Sequence, residues 1–410
     1  MFRPLTRRVT LNIDGAVLDY WTDISIERNL SEITGSFELT MRDPARSMQT
    51  WPYATEDFPF LPPIDWGGLA TLSIDNEPVL IGWVEDVNPV SGENPMLSIA
   101  GRDVTGDLVD CAASTKGPTE FKNLTLLEIA KRICKPFGIE VTTDVDAGDV
   151  FDKFTLDVGE TAMSAIEKGA RQRAFLIVSD GIGGLVLTRS GQTRSPGELY
   201  NPGNLITSSG RFSSRERYSE YWVKGQASKA GGKRGSKPGL DVTAEPLEAD
   251  DSTPQPDPTF EESGVTLFGY VKDEEIKRYR PIVSQARTEV KKQSAQTQAE
   301  WMQRVAKGKG TQFEGEVYGW HMNGGLWRPN ELVFVDDLYQ DLNRDLLISG
   351  VNYTFGENGE RTKLRLCGPE AFDLLPEGDR TKNRKRKSGK KTGTGGSSGG
   401  SGLDGTAQAL

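Results

Sequence analysis

The chain has 410 residues and a mass of 45.0 kDa, which is enough for two or three domains of ordinary size. Hydrophobic residues make up 36% and charged residues 26%, which excludes a bundle of membrane-spanning helices and a wholly disordered chain. The single histidine, His321, excludes any catalytic or metal site that needs two imidazoles. Cys111, Cys134 and Cys367 lie too far apart for a CxxC metal site or a disulfide framework. We therefore expect no cofactor, no metal and no enzymatic activity.

The charge is unevenly distributed. Residues 378–410 contain eight basic and two acidic side chains, so the net charge of −10 leaves −16 on residues 1–377. An acidic body repels phosphate, which argues against a protein that wraps or reads nucleic acid. No apolar run is long enough for a signal peptide or a spanning helix, so we expect cytoplasmic synthesis and no membrane span.

Residues 1–112 are predicted to form a small antiparallel β-domain. Apolar and polar residues alternate at 9–13 and 37–42, and turn residues separate the runs 69–74 and 79–84. A period of two gives each strand one buried and one solvated face. Short strands of this kind are typical of a barrel or a sandwich.

Residues 113–200 show a different period and are predicted to form an α/β domain. Thr125 and Glu128 make a capping-box pattern in front of apolar residues spaced as on one helix face. A second helix is predicted over 161–173. A strand pair around a glycine-rich turn then follows, at 175–187.

Strand patterns return near Leu205 and predict a second β-domain made of residues 201–225 together with 310–375. Residues 226–309 are predicted to be a flexible insert plus a helix, because 226–264 almost lack large apolar side chains while 284–307 favour a helix. Residues 376–410 are a basic and then Gly/Ser-rich stretch, which predicts a flexible tail. The fold class is therefore α+β, mainly β.

An internal repeat links the two β-domains. Residues 80–108 align with residues 347–375 without a gap, at a constant offset of 267 and with eight identities in 29 positions. About two identities would be expected by chance. The matched glycines are Gly92 with Gly359 and Gly101 with Gly368. We predict two copies of one β-domain, the alternative being that any two amphipathic hairpins look alike.

Motifs that would carry chemistry are weak. The glycines at 181–184 lie in a hairpin turn and open no helix, so they do not meet the context of a dinucleotide-binding loop. The acidic pair Asp336-Asp337 flanks a loop, where a solvated turn is the simpler interpretation than paired catalytic carboxylates. These patterns favour a protein without an active site.

Two basic segments are candidate partner contacts. Arg278 and Arg280 flank Tyr279 and would suit an acidic partner surface, the alternative being an ordinary solvated strand edge. In the tail, the candidates are Lys385, Arg386 and Lys387. We rank solvent or a protein partner above DNA for the tail, because charges on a mobile segment bind weakly and in a salt-sensitive way.

Several stretches resemble one known family. GRDVTGDLVDCAA at 101–113 and FKNLTLLEIAKRICKPFGIEV at 121–141 are distinctive, and the stretches at 154–189, 217–226 and 278–283 support them by position. In these segments the chain resembles the baseplate hub proteins of Mu-like tailed phages, which are related in fold to the T4-type baseplate hub. The acidic insert and the C-terminal tail have no counterpart in the resemblance.

The resemblance implies two related β-barrels per chain and a homotrimer in which six barrels form a pseudo-sixfold ring. Such a ring is a symmetry adaptor in the virion tail. Its expected partners are the tail tube protein or distal tail ring, the central spike, other baseplate proteins, and genomic DNA that passes without sequence recognition. An acidic bore would let DNA slide. Two alternatives stay open: a tail-associated cell-wall hydrolase, and a spike component of a related contractile injection system.

Overall fold

The structure is a computed structural model that describes residues 8–13, 15–19, 21–42, 66–90, 96–226, 266–286 and 292–375. The strands of the N-terminal part are β1 (Val9–Ile13), β2 (Ala16–Leu18), β3 (Asp23–Asn29), β4 (Ser36–Arg42), β5 (Leu69–Ile74), β6 (Glu77–Val90) and β7 (Met96–Asp103). The middle part contains β8 (Glu120–Phe121), β9 (Glu140–Thr143), β10 (Phe154–Thr155), β11 (Leu176–Ser179), β12 (Gly184–Thr188), β13 (Thr193–Arg194) and β14 (Leu199–Asn201).

The C-terminal part contains β15 (Leu205–Phe212), β16 (Glu220–Gln226), β17 (Thr266–Lys272), β18 (Pro281–Gln285), β19 (Thr311–Tyr318), β20 (His321–Met322), β21 (Gly325–Leu326), β22 (Glu331–Asp337), β23 (Leu342–Gly356) and β24 (Gly359–Cys367). The α-helices are α1 (Gly106–Asp110), α2 (Leu126–Cys134), α3 (Ala162–Arg173) and α4 (Lys292–Gly310). The mainly β character predicted from the sequence is confirmed.

A sheet of 14 strands dominates the described part of the molecule and contains strands from both predicted β-domains. Its N-terminal half runs in the order β3-β4-β7-β6-β5-β1-β2, and its C-terminal half in the order β15-β19-β24-β23-β22, with β13 and β14 added in parallel to β22. The hairpin predicted at 69–84 is present, and β23 and β24 form the hairpin that its repeat at 347–375 predicts. One hydrophobic core, which extends from Val9 to Leu366, serves both halves.

Both halves use the same connectivity. In chain order, the five strands are β3, β4, β5, β6 and β7 in the N-terminal half and β15, β19, β22, β23 and β24 in the C-terminal half. In each half, the first strand pairs with the second, the second with the fifth, the fifth with the fourth, and the fourth with the third. Each half also has a one-residue bulge between the fifth and fourth strands, at Glu85 and at Ser349. The shared topology supports the predicted duplication.

The pairing does not follow the gapless offset of 267. Glu85 and Ser349 are 264 residues apart, and the residues opposite the two bulges, Gly101 and Leu366, are 265 apart. Gly101 lies inside β7 whereas Gly368 follows β24, so these two glycines occupy different places. Gly359 begins β24 after a tight turn with φ +77°, and Gly92 lies outside the described residues. Strand pairing therefore places Leu366, not Gly368, at the position of Gly101, and the equivalence of Gly92 with Gly359 stays a prediction.

The two halves meet in a seam that the sequence reasoning did not predict. Strand β3 pairs antiparallel with β23, placing Ile24–Asn29 opposite Gly350–Phe355. Arg365 forms an ion pair across the seam with Glu27, at 2.7 Å, and the Ser25 hydroxyl donates to Asn352 Oδ1 at 3.2 Å. A continuous main-chain ladder therefore joins the two copies.

The α/β unit lies between the two halves in sequence. Helix α2 begins at the capping box of Thr125 and Glu128, as predicted, and α3 begins after Thr161, whose hydroxyl accepts from the backbone N–H of Ser164. The strand order β11-β12-β9 forms its small sheet. Both helices turn apolar faces into a second core that includes Ile129, Ile133 and Ile166.

A third unit differs from the sequence-based expectation. Strand β16, which the sequence assigned to the second β-domain, pairs instead with β17 and β18 in a separate sheet that packs against α4. The helix predicted over 284–307 begins later, at Lys292, because residues 281–285 pair in parallel with β16. A strand ladder satisfies the backbone of these residues, and the β-branched Ile282 and Val283 favour a strand.

Candidate functional site

A buried polar cluster holds the α/β unit against the seam. The Asp103 side chain, at the end of β7, is only 1% exposed and accepts hydrogen bonds from Ser179 Oγ at 2.6 Å and from the Thr105 backbone N–H at 2.8 Å. Arg28 of β3 donates to the carbonyl of Ser179 at 2.9 Å. Burial raises the pKa of Asp103 and lowers the pKa of Arg28. Because Ser179 of β11 binds both groups, the cluster fixes the α/β unit to β3 and β7 of the N-terminal half.

The glycine-rich turn at 180–184 packs at the same junction. The Gly181 carbonyl accepts from the Ile81 backbone N–H at 2.7 Å. Gly181 has φ +82°, and a Cβ there would lie 2.6 Å from both Arg28 Cζ and the Val79 carbonyl oxygen. Only glycine fits both the backbone conformation and the space. These glycines therefore have a structural reason, which is close packing of a hairpin tip between β3 and β6.

A second buried group lies at the start of β22. Glu331 Oε2 and Trp327 Nε1 are buried and have no hydrogen-bond partner among the described residues. The Tyr353 hydroxyl donates to the Trp327 carbonyl, and Arg328 pairs with Glu77 of the other half. Burial raises the pKa of Glu331 to about 7. No sequence pattern singled out this carboxyl, because its burial is a product of the tertiary structure.

The candidate partner residues near 278 fall into two kinds. Arg280 is held within the molecule, since its guanidinium donates to the Ser214 and Arg215 carbonyls and lies 4.9 Å from the Tyr218 ring. Arg278 is exposed, and the neighbouring Tyr279 is 82% exposed. A partner would therefore meet Arg278 and Tyr279 first. Lys385, Arg386 and Lys387 lie outside the described residues.

The groups usually associated with catalysis are scattered. Cys134 and Cys367 are buried, and burial raises the pKa of each thiol to about 12; Cys111 is exposed. His321 Nδ1 lies 3.6 Å from Asp75 Oδ2 on the surface. In the described ranges, no cluster of three or more His, Cys, Asp and Glu side chains is arranged to hold a metal ion. None of the helices found there is long and apolar enough to cross a membrane.

Comparisons with known proteins agree with this architecture. The family model for the N-terminal domain of Mu phage baseplate assembly protein GpP-like proteins matches residues 8–103. The model for the second domain of baseplate hub protein gp44-like proteins matches residues 105–189, and that for the fourth domain of GpP matches residues 291–375. The baseplate hub protein gp44 of Escherichia phage Mu is 32% identical over an alignment of 393 residues that covers 93% of each chain. The chain belongs to the gp44 family of phage baseplate hub proteins.

Solved structures carry the same fold as this hub protein. The 43 kDa tail protein of prophage MuSo2 from Shewanella oneidensis is 30% identical, with a TM-score of 0.71 over 90% of this chain and 99% of that one. A tail protein from Neisseria meningitidis MC58 shares the fold at 19% identity, with a TM-score of 0.66 and the same coverage. The resemblance stated from the sequence motifs is therefore confirmed at the level of a baseplate hub protein.

Proposed function

We propose that this hub protein is a non-enzymatic symmetry adaptor of the virion tail, in which three chains form a ring of six related β-units. The observation that carries the proposal is the repeated five-strand connectivity, with both copies joined in one sheet. A chain with two equivalent units gives six equivalent positions in a trimer. A pseudo-sixfold face suits a sixfold tail tube, and a threefold face suits a trimeric spike.

The proposed ring would also let DNA pass without binding it. The acidic balance of residues 1–377 favours this role, since a negative wall repels phosphate. Strands β19 and β24 do not contribute to this negative charge, because Glu314 lies opposite Arg365 and Glu316 lies opposite Lys363. We therefore expect the acids of the bore to come mainly from other strands. A ring structure with a neutral or basic lumen would refute this part.

The solution mass of the purified full chain, alone and with its spike protein, tests the ring. We expect a species of three chains, each of 45.0 kDa, in light scattering coupled to size exclusion. A chain that stays monomeric at every concentration and also with the spike would overturn the proposal. A zymogram with peptidoglycan tests the other part, because a cleared band would show a cell-wall hydrolase.

A further inference from the structure

The seam between the two halves shows how an edge of β23 is covered, and the equivalent edge of β6 can be compared with it. On one edge of β23, residues 342–347 pair with β22 and residues 350–355 pair with β3. On the equivalent edge of β6, residues 77–83 pair with β5. Among the residues that the structure describes, no strand pairs with the rest of that edge, at 85–90. The N-terminal copy thus has an open position where the C-terminal copy holds β3.

The equivalent of β3 also has an open edge. By shared connectivity β15 corresponds to β3, and β15 pairs with β19 on one side only within the described chain. Phe212, at the end of β15, is 54% exposed. An unpaired strand edge is a template for pairing with another chain. Among the described residues, one chain therefore has an unpaired edge on β15 of its C-terminal copy and an unpaired edge at 85–90 of its N-terminal copy.

We propose that β15 of one chain pairs antiparallel with residues 86–90 of β6 in the next chain, repeating the internal seam between β3 and β23. This inference rests on the proposed ring and names its interface. The contact is heterologous, because two different edges meet, and such contacts generate closed rings when the rotation between subunits closes.

The internal equivalences fix the register. Phe37 and Phe313 are both buried, and they lie opposite the two bulge-facing residues Gly101 and Leu366. Phe37 pairs with Ile26 of β3, and Phe313 pairs with Gly210 of β15. Ile26 and Gly210 are therefore equivalent, and each residue of β3 corresponds to the residue of β15 that is 184 positions later. The bulges map β23 onto β6 at an offset of 264.

Applying these two offsets to the residue pairs of the internal seam gives the residue pairs expected between chains. Arg28 with Val351 becomes Phe212 with Val87, and Glu27 with Asn352 becomes Arg211 with Asn88. The first pair sets an exposed aromatic ring beside Val87, which already packs partly against the core.

The second pair places Arg211 diagonally across from the exposed Asp86, two residues before Asn88. The matched strands thus complement each other in apolar area and in charge. Pro89, opposite Gly210, supplies no N–H, so the ladder between chains has one donor fewer than the seam.

A cysteine pair tests the interface in the full-length protein. In a Cys111→Ser background, which removes the exposed native thiol, Asn88→Cys and Arg211→Cys are combined. Facing residues in antiparallel strands lie about 4.5–5.5 Å apart at Cα, within reach of a disulfide. We expect oxidation to convert most of the protein into linked dimers and trimers on non-reducing gels, and each single variant to remain monomeric there.

A register control uses Asn88→Cys with Thr207→Cys. Thr207 lies on the same exposed face of β15 as Arg211, four residues away, which is about 13 Å along the strand. This pair should link far less. If the solution mass shows a trimer but the Asn88→Cys, Arg211→Cys pair forms no more disulfide-linked chains than the control pair, the proposed interface is wrong and the proposed ring still stands. A strictly monomeric chain overturns both.

Discussion

Glu331 makes the stability of this hub protein depend on pH in a defined direction. Burial raises the pKa of this carboxyl from 4.5 to about 7, and Oε2 has no hydrogen-bond partner in the described part of the chain. In the unfolded chain the carboxyl ionises near its ordinary pKa, whereas in the folded protein ionisation is resisted up to about pH 7. Folding is therefore penalised progressively as the pH rises from 4.5 to 7, and the full penalty persists above 7.

The magnitude follows from the pKa rise. Each pKa unit corresponds to about 1.4 kcal/mol, which gives about 3.4 kcal/mol for a fully shielded group. Because the Glu331 side chain is only partly buried, solvent screening reduces the expected penalty to about 1.5 kcal/mol. Glu331→Gln resembles the neutral acid in shape and removes the penalty. We expect this variant to gain about 1.5 kcal/mol at pH 8.5 and almost nothing near pH 4.

Chemical denaturation at the two pH values measures the difference between variant and wild type. Glu38→Gln, which removes one exposed carboxylate from β4, reports the effect of net charge alone. If Glu331→Gln were no more stable than the wild type at pH 8.5, or gained equally at both pH values, the assignment of a buried, disfavoured carboxylate would be wrong.

Three further predictions concern local features. Asp103→Ala should lower the free energy of unfolding by about 3 kcal/mol, because it leaves buried donors and a nearby arginine without their carboxylate; urea denaturation measures this. Thr125→Ala removes the cap of α2 and should cost about 1 kcal/mol in the same assay. At pH 8, one thiol per folded chain should react with a disulfide reagent, namely Cys111, since Cys134 and Cys367 are buried with raised pKa values. Cys111→Ser should abolish that reaction, and two or three reactive thiols would contradict it.

Local patterns predicted much of the fold. The capping box at Thr125 located α2, and alternation located the hairpins of both halves. Strand β3 was missed although Ile24 and Ile26 alternate with polar residues. Its pairing with β4 is local, but its pairing with β23, more than 300 residues away, leaves no local signal, so the seam could not be predicted.

The contact between the α/β unit and the large sheet shows a second feature that the sequence could not predict. The turn at 180–184 does not have the sequence context of a phosphate-binding loop. What requires glycine at position 181 is the small space beside Arg28 and Val79. Ser284 and Gln285, which were predicted to begin a helix, belong instead to a strand that pairs with β16, about 60 residues earlier in the chain. Tertiary neighbours, which composition does not encode, decide these cases.

Pro89 has a consequence for the order of assembly. The seam inside the chain has a full set of donors and a shared core, whereas a ladder built on β6 lacks the N–H of Pro89. Newly made chains would thus complete their own seam first and associate with neighbours only afterwards, at high local concentration. A proline on an open strand edge also discourages indiscriminate pairing. In the proposed ring, the residue that removes one hydrogen bond from each contact between chains would also keep unassembled chains from aggregating while the tail is being built.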